Sequence, residues 1–203
     1  MDNSSSQVSF STTPNAIFLP ICAALVVAAN YVPLLLLVRV KKLAACTLVI
    51  ALAIQNTFTF VNAILWPNDN TAEWYSGVGL CDVQVAIRTA LLTLLATSSA
   101  CLAWDLAKAL DTDNPCLHET QASRRRRIII ELLFCFVIPI LQVALHYIVQ
   151  ASRFSVVTIY GCADYVDPSW PSVVILAIWP PVFALMNCYF AGKFDGTDLM
   201  TWN

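Results

Sequence analysis

RRRRIIIELLFCFVIPILQVALHYIV, residues 124–149, sets four consecutive arginines against 22 residues in which Glu131 is the only charge. About 20 mostly apolar residues are needed for a helix to cross about 30 Å of hydrocarbon, and Ile128 to Val149 meets that length. Working outward, four more stretches qualify: Ala16 to Val38, Leu43 to Leu65, Leu80 to Ala103 and the shorter Val173 to Phe190, which follows Trp170. These runs are too long and continuous for the alternating strands of a membrane barrel. The whole composition agrees, with 59% hydrophobic and 12% charged residues in 203 and a mean hydropathy of +0.70. Soluble chains lie near 45–50% apolar and about 25% charged. The expected class is an all-α integral membrane protein with five spans. The net charge of −2 provides no bulk attraction for nucleic acid, and none is expected as a partner.

Lysine and arginine set the orientation of such a chain. Arg39, Lys41, Lys42, Lys108, Arg124, Arg125, Arg126, Arg127 and Lys193 fall on one side of the spans. Arg153 alone falls on the other, and Arg88 lies within a span. The N-terminal segment 1–15 is therefore expected outside, the core over 16–192, and the tail 193–203 in the cytoplasm. The acidic Asp111, Asp113 and Glu119 mark a solvated inner loop. Asn3-Ser4-Ser5 is an N-glycosylation sequon on the outer side, a triplet that also arises by chance.

This topology sorts the eight cysteines. Cys22, Cys46, Cys101, Cys135 and Cys188 fall in spans, and Cys116 lies in an inner loop where thiols stay reduced. Cys81 and Cys162 face the oxidising side, so a disulfide between them is expected, against the alternative of two free small hydrophobes. It would tie the long outer loop, Gln150 to Ser172, across the mouth of the bundle. Within that loop Val156 to Tyr160 is β-branched and aromatic and reads as a short strand, giving a hairpin-like lid. The preceding outer loop carries Asp69 and Glu73 with Trp66, Trp74 and Tyr75. Its tryptophans read first as interfacial anchors and second as ligand contacts.

Several ordered segments together carry a resemblance. They are Asn62-Ala63-Ile64-Leu65-Trp66, Gly79-Leu80-Cys81-Asp82, Arg124 to Ile128 with Cys135 and Pro139, Tyr147 to Gln150, Arg153-Phe154, Gly161-Cys162 and Ile178-Trp179-Pro180-Pro181. From about Val32 to Gly192 the chain resembles the fungal lipopeptide mating-pheromone receptors, the a-factor family of G-protein-coupled receptors. Trp104-Asp105-Leu106 stands where a rhodopsin-like receptor carries Asp-Arg-Tyr. The resemblance implies a seven-helix bundle in the plasma membrane, a farnesylated peptide pheromone outside and a heterotrimeric G protein inside. It also admits receptor oligomers and lipid contacts. Since the sequence runs only 11 residues past Gly192, the expectation is a five-span, truncated form. A second reading is a non-signalling or accessory protein that associates with a full-length receptor.

The candidate ligand contacts are Trp66, Trp74, Asp82, Arg88, Tyr147, Gln150, Arg153, Tyr160, Trp170 and Trp179. For Asp82 and Arg88 a structural salt bridge or interhelical hydrogen bond is an equal alternative. Intramembrane charge is costly and faces the bundle interior or a wet cavity in either case. His146 shares a helix face with Gln150 and reads first as structural and second as a ligand contact. Arg127 and Glu131, four apart, read as a local helix pair. Arg39, Lys41, Lys42 and Arg124 to Arg127 are the candidate contacts to G protein or anionic lipid. Pro139 and Pro180 are expected to kink spans four and five. No nucleophile with its base is evident, so no enzyme is expected. No cofactor is expected, and His118 and His146 are too distant in sequence to suggest a metal site.

Overall fold

A computed structural model describes residues 14–71, 74–109 and 121–200, with side chains through 192. Asn3, Glu73, Asp111, Asp113, Cys116, His118 and Glu119, the side chain of Lys193, and the last residues of the tail lie outside that description. Among the described residues, five helices are long and apolar enough to cross a membrane: α1 (Pro14–Val40), α2 (Leu43–Leu65), α3 (Leu80–Ala109), α4 (Gln121–Val149) and α5 (Trp170–Gly192). Helices solve the problem hydrocarbon poses, because every backbone N–H and C=O is bonded within its own segment. Polar side chains along them use the same device. Asn56, Thr57, Thr59, Thr89 and Thr97 each donate to the carbonyl four residues earlier, so they need no outside partner.

α3 is the axis of the bundle. Half of its most apolar 18-residue window is buried, against 6% for α1 and 6% for α5. Small residues let the helices close around it, as membrane helix pairs require. Ala44, Ala45, Thr47 and Ala51 of α2 are buried, as are Ser98, Ala100 and Cys101 of α3 and Cys135 of α4. There Thr47 Oγ1 lies 3.0 Å from Ser98 Oγ, which in turn lies 3.6 Å from Cys135 Sγ. Large apolar side chains such as Ile17, Phe18, Leu141, Ile148 and Leu185 point outward, the inside-out pattern of a lipid-facing surface.

Four boundaries differ from the sequence expectation. The Arg124 to Arg127 block stands on the first turns of α4 rather than in a loop, since the helix begins at Gln121. α4 meets Pro139 with a π-helical turn, Leu133–Val137. α5 has a π-helical turn too, Val173–Ala177, ahead of a bend at Ile178 and Pro180. In π spacing the N–H that would reach the Ile175 carbonyl belongs to residue 180, a proline, and Gln142 Nε2 of α4 donates to that carbonyl instead. Finally, the loop after α4 pairs β1 (Gln150–Val157) antiparallel with β2 (Gly161–Val166), so Thr158 to Tyr160 is the turn, not strand.

That turn depends on unusual backbone. Ile159 has φ 65° and Gly161 φ 77°. Ile159 is held there by its N–H, which donates to the Trp66 carbonyl at 2.8 Å. At Gly161 a Cβ would overlap the carboxamide of Asn62. Gly161→Ala is expected to cost about 1–3 kcal/mol for the backbone conformation alone. Alkylation mapping should then show less Cys81–Cys162 bond than in the unsubstituted chain. Gly192→Ala, where a Cβ meets nothing within 4 Å, is the matched control and should leave the bond unchanged.

Candidate functional site

The hairpin lies across one end of the bundle, and side chains from α2 and α3 reach up to hold it. Cys81, in the first turn of α3, is bonded to Cys162 of β2, with Cα atoms 5.1 Å apart. Trp66, Val85 and the disulfide form one buried cluster, flanked by Leu65, Trp74, Phe154 and Val156. Trp66 is 0% exposed and donates from Nε1 to the Tyr75 carbonyl at 3.1 Å. It is a core residue, not an interfacial anchor. Trp74 Nε1 donates to the Asn68 carbonyl at 2.8 Å, and Thr158 in the turn donates to Asp69.

Beneath this cluster runs a chain of buried polar groups. Gln84 Nε2 donates to Asn62 Oδ1 at 2.9 Å, and Asn62 Nδ2 donates to the Tyr160 carbonyl at 2.7 Å. Arg88 donates to the Cys162 carbonyl at 3.0 Å, with its guanidinium 3.9 Å from the centroid of the Tyr160 ring. A cation over an aromatic face in a desolvated place is stabilising by about 2 kcal/mol. Arg88 is therefore buried against the hairpin, in a hydrogen bond that runs from α3 to β2 rather than between helices or to Asp82. Asp82 pairs instead with Arg153 of β1 at 2.9 Å, at the rim.

That rim closes a cavity of about 210 Å³ between α3 and α4, lined by Asp82, Val85, Ala86, His146, Tyr147, Gln150 and Arg153. Of the candidate ligand contacts, Asp82, Tyr147, Gln150 and Arg153 meet there. Trp66, Trp74, Arg88 and Tyr160 form the adjoining hairpin support. Trp170 and Trp179 are not brought in: Trp170 is 78% exposed at the start of α5, and Trp179 stacks on Phe183 further along it. Asn62 and Gln84 belong to this end and stood outside the sequence-based candidates, and His146, read first as structural, lies here too. The signal that could have found them was polarity within an apolar run at the same depth.

At the opposite end Arg39, Lys41, Lys42, Arg124, Arg125 and Arg126 are exposed. Arg127 is half-buried and reaches Glu131 at 3.6 Å, the expected local pair.

Five apolar helices, a buried polar layer and a disulfide-pinned hairpin define a multi-pass helical membrane protein built as a receptor bundle. Residues 18–194 match the pheromone A receptor family, and the chain belongs to that family, which is one of receptors and not of enzymes. It is 29% identical over 153 residues to the pheromone B beta 1 receptor of Schizophyllum commune, covering 75% of this chain and 27% of that one. It is 28% identical over 140 residues to pheromone receptor 1 of Ustilago hordei, covering 69% and 38%. With the pheromone a factor receptor of Saccharomyces cerevisiae the identity is 20% over 151 residues, covering 74% and 32%. The chain thus spans between a quarter and two fifths of these relatives' length. No solved structure matches it.

The shared carboxamide of Asn62 makes the polar layer testable. Asn62→Ala leaves the Tyr160 carbonyl and Gln84 Nε2 without that partner, at about 1–3 kcal/mol for each unpaired group. Because the two side chains act together, Asn62→Ala and Gln84→Ala combined should cost less than their sum by about 1 kcal/mol. Melting of the four variants in detergent measures it.

Proposed function

We propose that this chain is the core of a receptor for a farnesylated peptide mating pheromone, with the peptide bound at the hairpin end and a heterotrimeric G protein met by the basic end. The family match over residues 18–194 carries the reading. The disulfide-pinned hairpin supports it, because a cross-linked cap over a polar cavity is a fixed surface for an extracellular peptide. The distribution of lysine and arginine supports an orientation with the hairpin outside and the Arg124 to Arg127 end in the cytoplasm, and a receptor for a secreted peptide belongs in the plasma membrane. A prenyl chain adds about 0.8 kcal/mol per buried CH₂, so the pheromone's tail partitions into the outer leaflet and delivers the peptide along the membrane. Pheromone then acts by binding one arrangement of the bundle better than another.

The chain expressed in fungal cells lacking their own pheromone receptor should bind a labelled farnesylated peptide from a compatible mating partner saturably. Cys81→Ser should weaken that binding about tenfold or more by releasing the cap, a loss of about 1.4 kcal/mol. Arg124→Ala with Arg125→Ala and Arg126→Ala should leave binding intact and reduce signalling when carried in a receptor of full family length. Absence of saturable binding by the unsubstituted chain at the cell surface would sink the receptor reading. Damping of a co-expressed longer receptor, with no response alone, would favour the accessory reading.

A further inference from the structure

Polar side chains buried around the hairpin end have at least one hydrogen bond each, with one exception among the described residues. Gln84, Asn62, Arg88 and Gln142 all donate to named acceptors. His146 does not. It is 1% exposed, yet neither Nδ1 nor Nε2 has a hydrogen-bond partner. It stands one helical turn below Gln150, about 6 Å along α4 at 1.5 Å per residue, and forms part of the wall of the 210 Å³ cavity.

A neutral imidazole offers one N–H donor and one bare nitrogen acceptor. Holding both unpaired in a buried place costs free energy unless something in the cavity meets them. The cavity's two charges cancel, since Asp82 and Arg153 pair at 2.9 Å. Gln150 Nε2 is occupied by the Arg153 carbonyl at 2.6 Å. What remains open at the buried end are the two ring nitrogens of His146. An anion finds no free cation there, and an aliphatic group leaves both nitrogens bare. An amide group can meet either nitrogen, its C=O accepting from the ring N–H or its N–H donating to the bare nitrogen.

The geometry points to His146 as the recognition group of a subsite for one amide group of a peptide, entered past the Asp82–Arg153 pair. This assignment rests on the peptide-receptor reading and specifies which chemical group that site takes. It makes His146 a ligand contact rather than a structural residue.

The test uses the 203-residue chain in lipid nanodiscs, ¹⁵N-labelled at its two histidines, with His146→Leu assigning the ring signals. N-methylacetamide is the probe, and methyl acetate, which lacks the N–H, is its control. The His146 ring nitrogens are expected to shift saturably with the amide, with an affinity about threefold or more above that for the ester. No saturable shift, or equal response to both, means that water fills the cavity and overturns the proposal. His146→Leu loses no protein hydrogen bond, so it is expected to melt within about 4 °C of the unsubstituted chain. Unfolding of that variant would make His146 structural and also overturn the proposal. The probe is not a pheromone, so its failure would leave the receptor reading standing, and failure of pheromone binding would leave an amide cavity standing.

Discussion

Two backbone carbonyls, those of Tyr160 and Cys162, turn down into the top of an apolar bundle, and the hairpin end is organised around keeping them bonded. Water cannot be relied on at that depth, so the bundle supplies the donors itself. Asn62 serves the first and Arg88 the second. Each donor then needs support. Gln84 fixes the Asn62 carboxamide, and the Tyr160 ring covers the Arg88 guanidinium. The disulfide holds the strand close enough for both bonds to form. Removing any one member leaves a desolvated polar group facing hydrocarbon, which is why the group acts as a unit.

The same logic explains how the helices tolerate their prolines. A proline in a span deletes a donor, and the carbonyl left behind must find another. In α5 the freed Ile175 carbonyl is met by Gln142 from α4, so a defect in one helix becomes a bond between two. The Thr47, Ser98 and Cys135 cluster does comparable work nearer the basic end, where small residues bring α2, α3 and α4 together. Several polar side chains among the described residues thus join one helix to another or are satisfied within their own turn.

Much of this was legible in the residues. Span number, the Cys81–Cys162 bond and the Arg127–Glu131 pair follow from hydropathy, topology and four-residue spacing, all local or one-dimensional signals. The misreadings lie where tertiary bonds decide. Val156 to Tyr160 looks like strand by composition, but Ile159 is held at positive φ by the Trp66 carbonyl, a partner 93 residues away. Trp66 looks like an interfacial tryptophan because its burial comes from a hairpin that arrives later in the chain. Asn62 and Gln84 read as single polar interruptions. Only their meeting across α2 and α3 gives them a role.

The π-helical turn at Leu133–Val137 carries one residue more than an α-helical path through the same height. It stands between two halves of α4, one carrying Arg124 to Glu131 and the other Gln142 and His146. Loss of that extra residue would let an α-helical turn take its place with both halves keeping their faces, whereas a deletion elsewhere in α4 would swing one half by about 100° against the other. The turn is thus a place in α4 where one residue can be gained or lost without moving Arg124 or Gln142 to another face. Against a relative that is α-helical at this height, a one-residue gap belongs within Leu133–Val137, because a gap elsewhere in α4 would set Gln142 and His146 against the wrong helical face.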